Sequence, residues 1–319
     1  MSVALPDSMT VMLADVHCVR CHRFSNLIKA RANRMHEVAL TLVLCSRNGM
    51  RTVGKCLDHI RSMDGADAIE VVLVDNGSTD GTFAAMQEFC TANPTLWRAI
   101  LETKPGNSAG RNTGVAASSG EVILFIDDDC YPDRGFASAW RTVFAQDPGL
   151  GFGSGRILPY DAQQSPLGCN TSTTTQILSS STFVQRGFVQ GSNMAFRRQC
   201  LTDAGMFDSR FGAGTPFAGE EWEVAVRASY AGWTGGYFPE PSVAHDHGRF
   251  DDEAFVRGHY YDIGAGAVYA KHLLTAHAPA TVVEIARDIR RQIRKRAAVG
   301  PLFGGAVQYY STMLRQARS

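Results

Sequence analysis

From Val38 to Leu44 the chain reads VALTLVL, a short β-branched apolar run suited to a strand covered on both faces. The polar turn CSRNG follows, and Val53 to Met63 has the apolar spacing of an amphipathic helix. The rhythm then repeats. IEVVLVD ends in the turn NGSTDGT and a helix through Phe89, and WRAILE leads through TKPGNSAGRN into a small-residue helix ending near Ser118. A fourth strand, EVILFID, runs straight into DDCYPD. Strands alternating with helices predict an α/β fold with a mostly parallel sheet flanked by helices. Right-handed crossovers would put the strand C-termini along one edge. Beyond Pro132 the alternation stops. Residues 151–193 are rich in Gly, Ser, Thr and Gln, which predicts loops around a site. Helices are expected from Asp251 onward, Ala280 to Ala297 being the clearest. The expected organisation is an extension over 1–36, one domain over 37–250 with halves 37–132 and 133–250, and a helical region over 251–319.

Three polar residues, Ser46, Asp75 and Asp127, fall at predicted strand C-termini, the edge at which open α/β sheets bind ligands. Asp127, Asp128 and Asp129 abut a buried strand, an expensive place for three carboxylates unless something neutralises them. Mg²⁺ or Mn²⁺ would do so and could in turn hold a diphosphate. Alternate positions let Asp127 and Asp129 face one cleft, with Asp128 as spacer; the plainer alternative is an acidic turn capping the next helix. Asp75 could accept hydrogen bonds from a uracil or ribose, while Ser78, Thr79 and Asp80 are helix-capping types. Arg111 has the planar fork to reach a base or phosphate, or simply to make an ion pair.

Composition narrows the classes. With 319 residues, 45% of them hydrophobic, the chain can bury a substantial core. Its 31 basic and 31 acidic residues balance, so nothing points to nucleic acid. The start lacks a basic region ahead of an apolar core, no apolar run is long enough to span a bilayer, and eight scattered cysteines read as reduced. Together these predict a cytoplasmic protein. HCVRCH, at 17–22, suggests half a zinc site, in cramped geometry and with no second Cys-x-x-Cys pair. ARDIRRQIRKRAA is compatible with a membrane-surface helix, which would put the protein at the inner face of the membrane. The favoured expectation is a helix packed on the domain with its charged face in water.

Taken in order, LVLCSRNG at 42–49, VVLVDNGSTDGT at 71–82, PGNSAGRNTGVAASSGEVILFIDDD at 105–129, VQGSNMAFRR at 189–198, DAGMFDSRFGAGTPFAGEEWEV at 203–224 and PSVAHDHGR at 241–249 resemble glycosyltransferase family 2. The resemblance spans residues 38–250 and implies the GT-A fold, a Rossmann-like sheet flanked by helices. It further implies that Ser46, Asn48, Asp75 and Arg111 line a nucleotide pocket with Asp127. Asp127 and Asp129 match the family's Asp-x-Asp motif, with Asp129 on the metal. Gly191, Ser192 and Asn193 match a segment near the donor sugar and acceptor. The family's Glu-Asp pair here reads Glu220-Glu221, which places Glu221 in the position of the base and departs from the family by one methylene. His245 matches a histidine that completes the metal site, with His247 as the alternate.

The activity so implied is inverting transfer of a sugar from a UDP- or dTDP-sugar, with Mn²⁺ or Mg²⁺, to a hydroxyl of a glycan, lipid-linked or small-molecule acceptor. The competing reading is a degenerate GT-A protein that binds nucleotide or a partner without turnover. An oxidoreductase fits poorly, because the turn after the first strand supplies one glycine, and GFGSG at 151–155 comes too late.

Overall fold

The computed structural model describes residues 39–317; the N-terminal extension and its HCVRCH segment lie outside the described residues. The first half contains β1 (Leu40–Ser46), α1 (Val53–Arg61), β2 (Glu70–Asp75), α2 (Thr82–Cys90), β3 (Trp97–Leu101), α3 (Asn107–Ala116) and β4 (Val122–Asp127). Strands β3, β2, β1 and β4 lie side by side and parallel, as the alternation predicts. All six residues of β2 are buried. A strand covered on both faces has no polar alternation to show, which is why these runs are continuously apolar. Small residues in α3 let it lie close on the sheet, since a methyl on Gly114 would strike the Val43 side chain. The register pairs Ser46 with Asp75 and Cys45 with Asp127, bringing the three polar strand ends to one edge.

The second half adds β5 (Cys130–Pro132), α4 (Phe136–Gln146), β6 (Leu150–Pro159), β7 (Gln176–Leu178), β8 (Met194–Arg197), α5 (Arg198–Asp203), α6 (Glu220–Tyr230) and β9 (Thr234–His245). Here the sheet becomes mixed. β8 is antiparallel to β4 and β6, β9 is parallel to β6, and β5 and β7 are antiparallel to β9.

The expectation of loops from Gly151 onward is overturned over Gly151–Pro159, which belong to the long interior strand β6. Its glycines are packing devices. A methyl on Gly153 would lie 2.8 Å from the Trp140 ring, and one on Gly151 would lie 2.6 Å from Trp233. Bulky rings claim the space that side chains of β6 would fill, so the strand reads as a loop in sequence.

Three helices complete the described chain: α7 (Asp251–Leu273), α8 (Ala278–Arg294) and α9 (Gly300–Gln316). None is long and apolar enough to cross a membrane. α7 and α9 meet through glycine: a methyl on Gly266 would fall on the Leu302 carbonyl, and one on Gly305 on that of Ile263. α8 departs from expectation. It packs on the domain, but its buried residues are Thr281, Glu284, Asp288 and Gln292, all polar. Asp288 accepts from the Tyr269 hydroxyl at 3.2 Å and pairs with Arg186 at 3.4 Å, and Gln292 donates to Asp262 at 2.9 Å. The face in water therefore carries apolar residues as well as charges.

A buried ionic cluster ties α6 to α7. Glu223, with no exposure, pairs with Arg227 at 2.6 Å and with Lys271 at 2.6 Å, and Lys271 also reaches Asp208 at 2.7 Å. Burial opposes ionisation of Glu223, but His272, Arg227 and Lys271 outweigh it and hold the carboxyl far below its usual range. Glu223→Gln would leave Arg227 without its carboxylate partner and Lys271 with Asp208 alone, and should cost about 3 kcal/mol in urea unfolding at neutral pH. A depressed folded pKa stabilises above the unfolded value, about 4.3, and that contribution fades as pH falls. The gap between wild type and E223Q should therefore narrow below about pH 4.

Candidate active site

β4 ends at Asp127, and the chain turns through Asp128 and Asp129 into β5. β5 pairs with the end of β9 so that Cys130 lies opposite His245, and the Asp246 amide donates to the Asp129 carbonyl at 2.8 Å. This pairing brings the VAHDHG histidines to the acidic turn. On the opposite side, the Ser108 hydroxyl and the Asn107 amide of α3 bond to the carbonyls of Phe211 and Ala213, at 2.7 and 2.9 Å. They pin the loop that delivers Glu220 and Glu221 as the first residues of α6, after Gly219 at φ 98°.

A cavity of about 920 Å³ opens at this edge, lined by Ser46, all three aspartates, Gly191, Ser192, Glu220, Glu221 and His245. A depression of about 720 Å³ elsewhere, between Thr142 of α4, Ile177 and Phe238, contains none of these residues.

Arg111 is 3% exposed and crosses the floor of this cavity. One terminal nitrogen donates to Glu220 at 2.7 Å and the other to Asp127 at 3.2 Å. Burial alone would lower its pKa, but the two carboxylates raise it, so the guanidinium stays charged. A methyl on Gly191 would sit 2.5 Å from Arg111, so that backbone closes over the guanidinium. Arg111 is thus a cross-brace between Glu220 and Asp127, and each terminal nitrogen keeps a second N–H in a residue that lines the cavity.

The three aspartates differ in surroundings. Asp127 also accepts from the Ser192 hydroxyl at 3.2 Å, and burial raises its carboxyl against the opposing pull of Arg111. Asp128 is more than a spacer: it bonds with the Ser46 hydroxyl, and burial, reinforced by Asp129 and Asp127, pushes it up to about 7. Asp129 faces His245, with 3.4 Å between carboxylate and Nε2. Burial works against its charge, but His245 prevails and lowers its pKa. For His245 burial also works against the charged form, and pairing with Asp129 overcomes it, to about 10.

Ligand atoms of Asp129, Cys130 and His245 lie within 4.8 Å of one another. The buried Cys130 thiol is pushed well above its usual range and stays protonated, which leaves a carboxylate and an imidazole. His245 Nδ1 is buried without a partner, an orphan that calls for explanation. With two further carboxylates beside it, this donor set fits a hard divalent cation. Asp127, expected on the metal, is not in this cluster and is instead held by Arg111 and Ser192. His247 is removed as the alternate ligand: its Nε2 is bonded to the Ser165 carbonyl at 2.8 Å and its Nδ1 to the Arg249 amide at 2.9 Å.

Two more of the expected residues bond within the protein. Asn193 has no exposure; it accepts from Trp140 at 3.3 Å and donates to the carbonyls of Arg156 and Pro241, both at 3.0 Å. Asn48 accepts from the Thr79 amide at 2.8 Å and fastens the β2–α2 turn. Asp75 accepts from the amides of Gly77 and Ser78 at 3.1 and 3.0 Å through one oxygen, while the other is buried without a partner. Residues that sequence reasoning did not single out also reach the site. Asn107 donates to Glu220 at 3.1 Å, and Arg249, Arg257, Tyr261, Arg291 and Lys295 line the cavity. Most of these belong to helices whose placement no local pattern announces.

The profile described as Glycosyl transferase family 2 matches residues 41–202, and Glycosyl transferase family group 2 matches 122–298. The chain is 35% identical over 96 residues to Glycosyltransferase AglE of Haloferax volcanii, covering 30% of this chain and 32% of that protein. It is 25% identical over 243 residues to the Pre-mycofactocin glycosyltransferase of Mycobacterium tuberculosis, covering 73% of this chain and 48% of that one. The chain thus matches between about a third and a half of the length of these relatives. Among solved structures, mannosyltransferase PcManGT of Pyrobaculum calidifontis, in complex with GDP-Man and Mn²⁺, superposes with a TM-score of 0.59 at 19% identity, covering 86% of this chain and 87% of that one. S. aureus TarS 1–349 in complex with UDP-GlcNAc gives 0.57 at 16% identity, covering 75% and 67%. The likeness to these structures shows the GT-A fold. With the acidic turn, the Glu-Glu pair and the family profiles all on one chain, this protein belongs to glycosyltransferase family 2.

Proposed function

We propose that the protein transfers a sugar, with inversion, from a nucleoside-diphosphate donor to an acceptor hydroxyl, and that Glu221 is the base. The observation that carries this is the division of labour in the Glu-Glu pair. Glu220 is tied to Arg111 and Asn107, whereas Glu221 lines the same cavity as the aspartates with no cation bonded to it. Burial, reinforced by the neighbouring charge of Glu220, raises its carboxyl well above the ordinary range. A raised carboxylate is a stronger proton acceptor once ionised.

Asp129 and His245 would hold the divalent cation, which when bound supplies Lewis-acid neutralisation of charge on the departing diphosphate. Arg249 and Arg257 line the cavity and form no ion pair with a carboxylate among the described residues, leaving them available to an anionic donor. The unpartnered oxygen of Asp75, beside Ser46 in register, suits the ring N–H of a uracil or thymine. UDP- or dTDP-sugars are therefore the proposed donors. Ser192 holds Asp127 and Gly191 covers Arg111, so this segment shapes the donor pocket, and Asn193 anchors it from behind.

Screening UDP-, dTDP- and GDP-sugars by nucleotide release should give turnover with a uracil or thymine donor, and EDTA should abolish it. Glu221→Gln should lower kcat by about 10²–10⁴ with little change in donor KM; unchanged kcat would remove Glu221 as base. Because the base must be ionised and its pKa is raised, the acid limb of kcat/KM should lie above the usual carboxylate range and vanish in E221Q. Arg111→Met should cost about 3 kcal/mol in stability by leaving Asp127 and Glu220 unpaired, and should lower kcat through lost alignment.

A further inference from the structure

α8 packs Ile285 and Ile289, both partly buried, against the core but leaves its other large apolar residues outside. Its polar stripe is buried, and Asp288, Arg291 and Gln292, with Lys295 just beyond its end, line the cavity. Its outward residues are Val282, Val283, Ala286, Arg287, Arg290, Ile293 and Arg294, all exposed. Val282, Ala286 and Ile293 recur at i, i+4 and i+11 and so share one stripe, and Arg287, Arg290 and Arg294 form the stripe beside it. Val282 is 56% exposed and Ile293 63%. Folding has not used this apolar stripe.

The other C-terminal helices expose apolar residues as well. Of the fourteen exposed large apolar side chains among the described residues, ten lie from Phe250 onward. Phe303, Val307 and Leu314 of α9 repeat the same i, i+4, i+11 spacing. Such concentration in the C-terminal helices is unlike the even spread of apolar exposure over an ordinary surface.

Charge selects the occupant. The acidic residues of α8, Glu284 and Asp288, are both buried; Glu284 pairs with Arg287, and the exposed charge that remains, on Arg290 and Arg294, is positive. A second copy of the chain would bring the same positive face to the contact. A surface offering apolar depth and negative charge together is an anionic lipid bilayer. An apolar stripe flanked by arginines is the pattern of a helix lying in a lipid interface, its guanidinium groups reaching the headgroups.

We propose that the outward face of α8 docks on an anionic membrane surface. The other face of α8 walls the cavity, so docking sets the cavity beside the lipid. On the transferase reading above, the acceptor is then a hydroxyl carried on a lipid headgroup or lipid-linked glycan.

The test is co-sedimentation of the full chain with vesicles of phosphatidylcholine alone and of phosphatidylcholine with phosphatidylglycerol. Wild type should bind the anionic vesicles and leave the neutral ones, and binding should weaken with added salt. The double variants V282D/I293D and R290E/R294E should each bind at least about tenfold less. None of these four residues lines the cavity, so unfolding curves and nucleotide release without lipid should match wild type. Equal partition of wild type to neutral and anionic vesicles, or undiminished binding by V282D/I293D, would overturn the proposal. So would a dimer in sedimentation velocity that V282D/I293D dissociates without any vesicle binding, since that assigns the patch to a second copy. Failure of the transferase reading would appear separately, as absent nucleotide release by wild type with or without vesicles.

Discussion

The guanidinium of Arg111 lies between Glu220 and Asp127, at 2.7 and 3.2 Å, almost closed off from solvent. Asp127 ends a strand of the parallel half-sheet, and Glu220 begins a helix more than ninety residues later. One buried cation thus couples the two halves of the cleft, and neither carboxylate could be buried there alone without a heavy desolvation cost. The cavity inherits its shape from this bridge. Gly191 has no side chain because Arg111 fills its space, and Glu221 is left unclaimed because Glu220 has taken the arginine.

Negative charge is sorted along the acidic turn by what each carboxylate faces. Asp127 meets Arg111, Asp128 meets the Ser46 hydroxyl, and Asp129 meets His245. The burial that makes the turn costly for bare carboxylates also strengthens each of these interactions. In the proposed reaction that separation assigns roles: Asp127 holds the frame, while Asp129 with His245 offers ligands to a cation. The imidazole arrives because β5 pairs with β9, so a sheet register determines a metal-ligand geometry.

The C-terminal helices extend the same logic away from the chemistry. Glycines at the α7–α9 contact allow carbonyl-to-backbone approach, and the Glu223 cluster fastens α7 to α6, directly behind the Glu-Glu pair. α8 is then held by polar bonds to Arg186, Asp262 and Tyr269 and by the partly buried Ile285 and Ile289, with the Val282, Ala286 and Ile293 stripe left outward. Helix periodicity reports that two faces differ, and the neighbours decide which one is buried.

How far the sequence reached depended on the range of the interactions involved. The βα order, the parallel half-sheet and the polar strand ends at Ser46, Asp75 and Asp127 follow from local hydrophobic pattern, because buried parallel strands and their crossovers write themselves into contiguous residues. The acidic turn was legible for the same reason. Tertiary structure alone decided that Gly151–Pro159 form an interior strand, since the rings filling the missing side-chain volume come from distant segments. It alone set Arg111 as a brace between Glu220 and Asp127 and Asn193 as a buried anchor, separated His245 from His247, and chose the outward face of α8. Each of these depends on partners tens to more than a hundred residues away, and a side chain's remaining hydrogen-bonding capacity is known only once those partners have claimed their share.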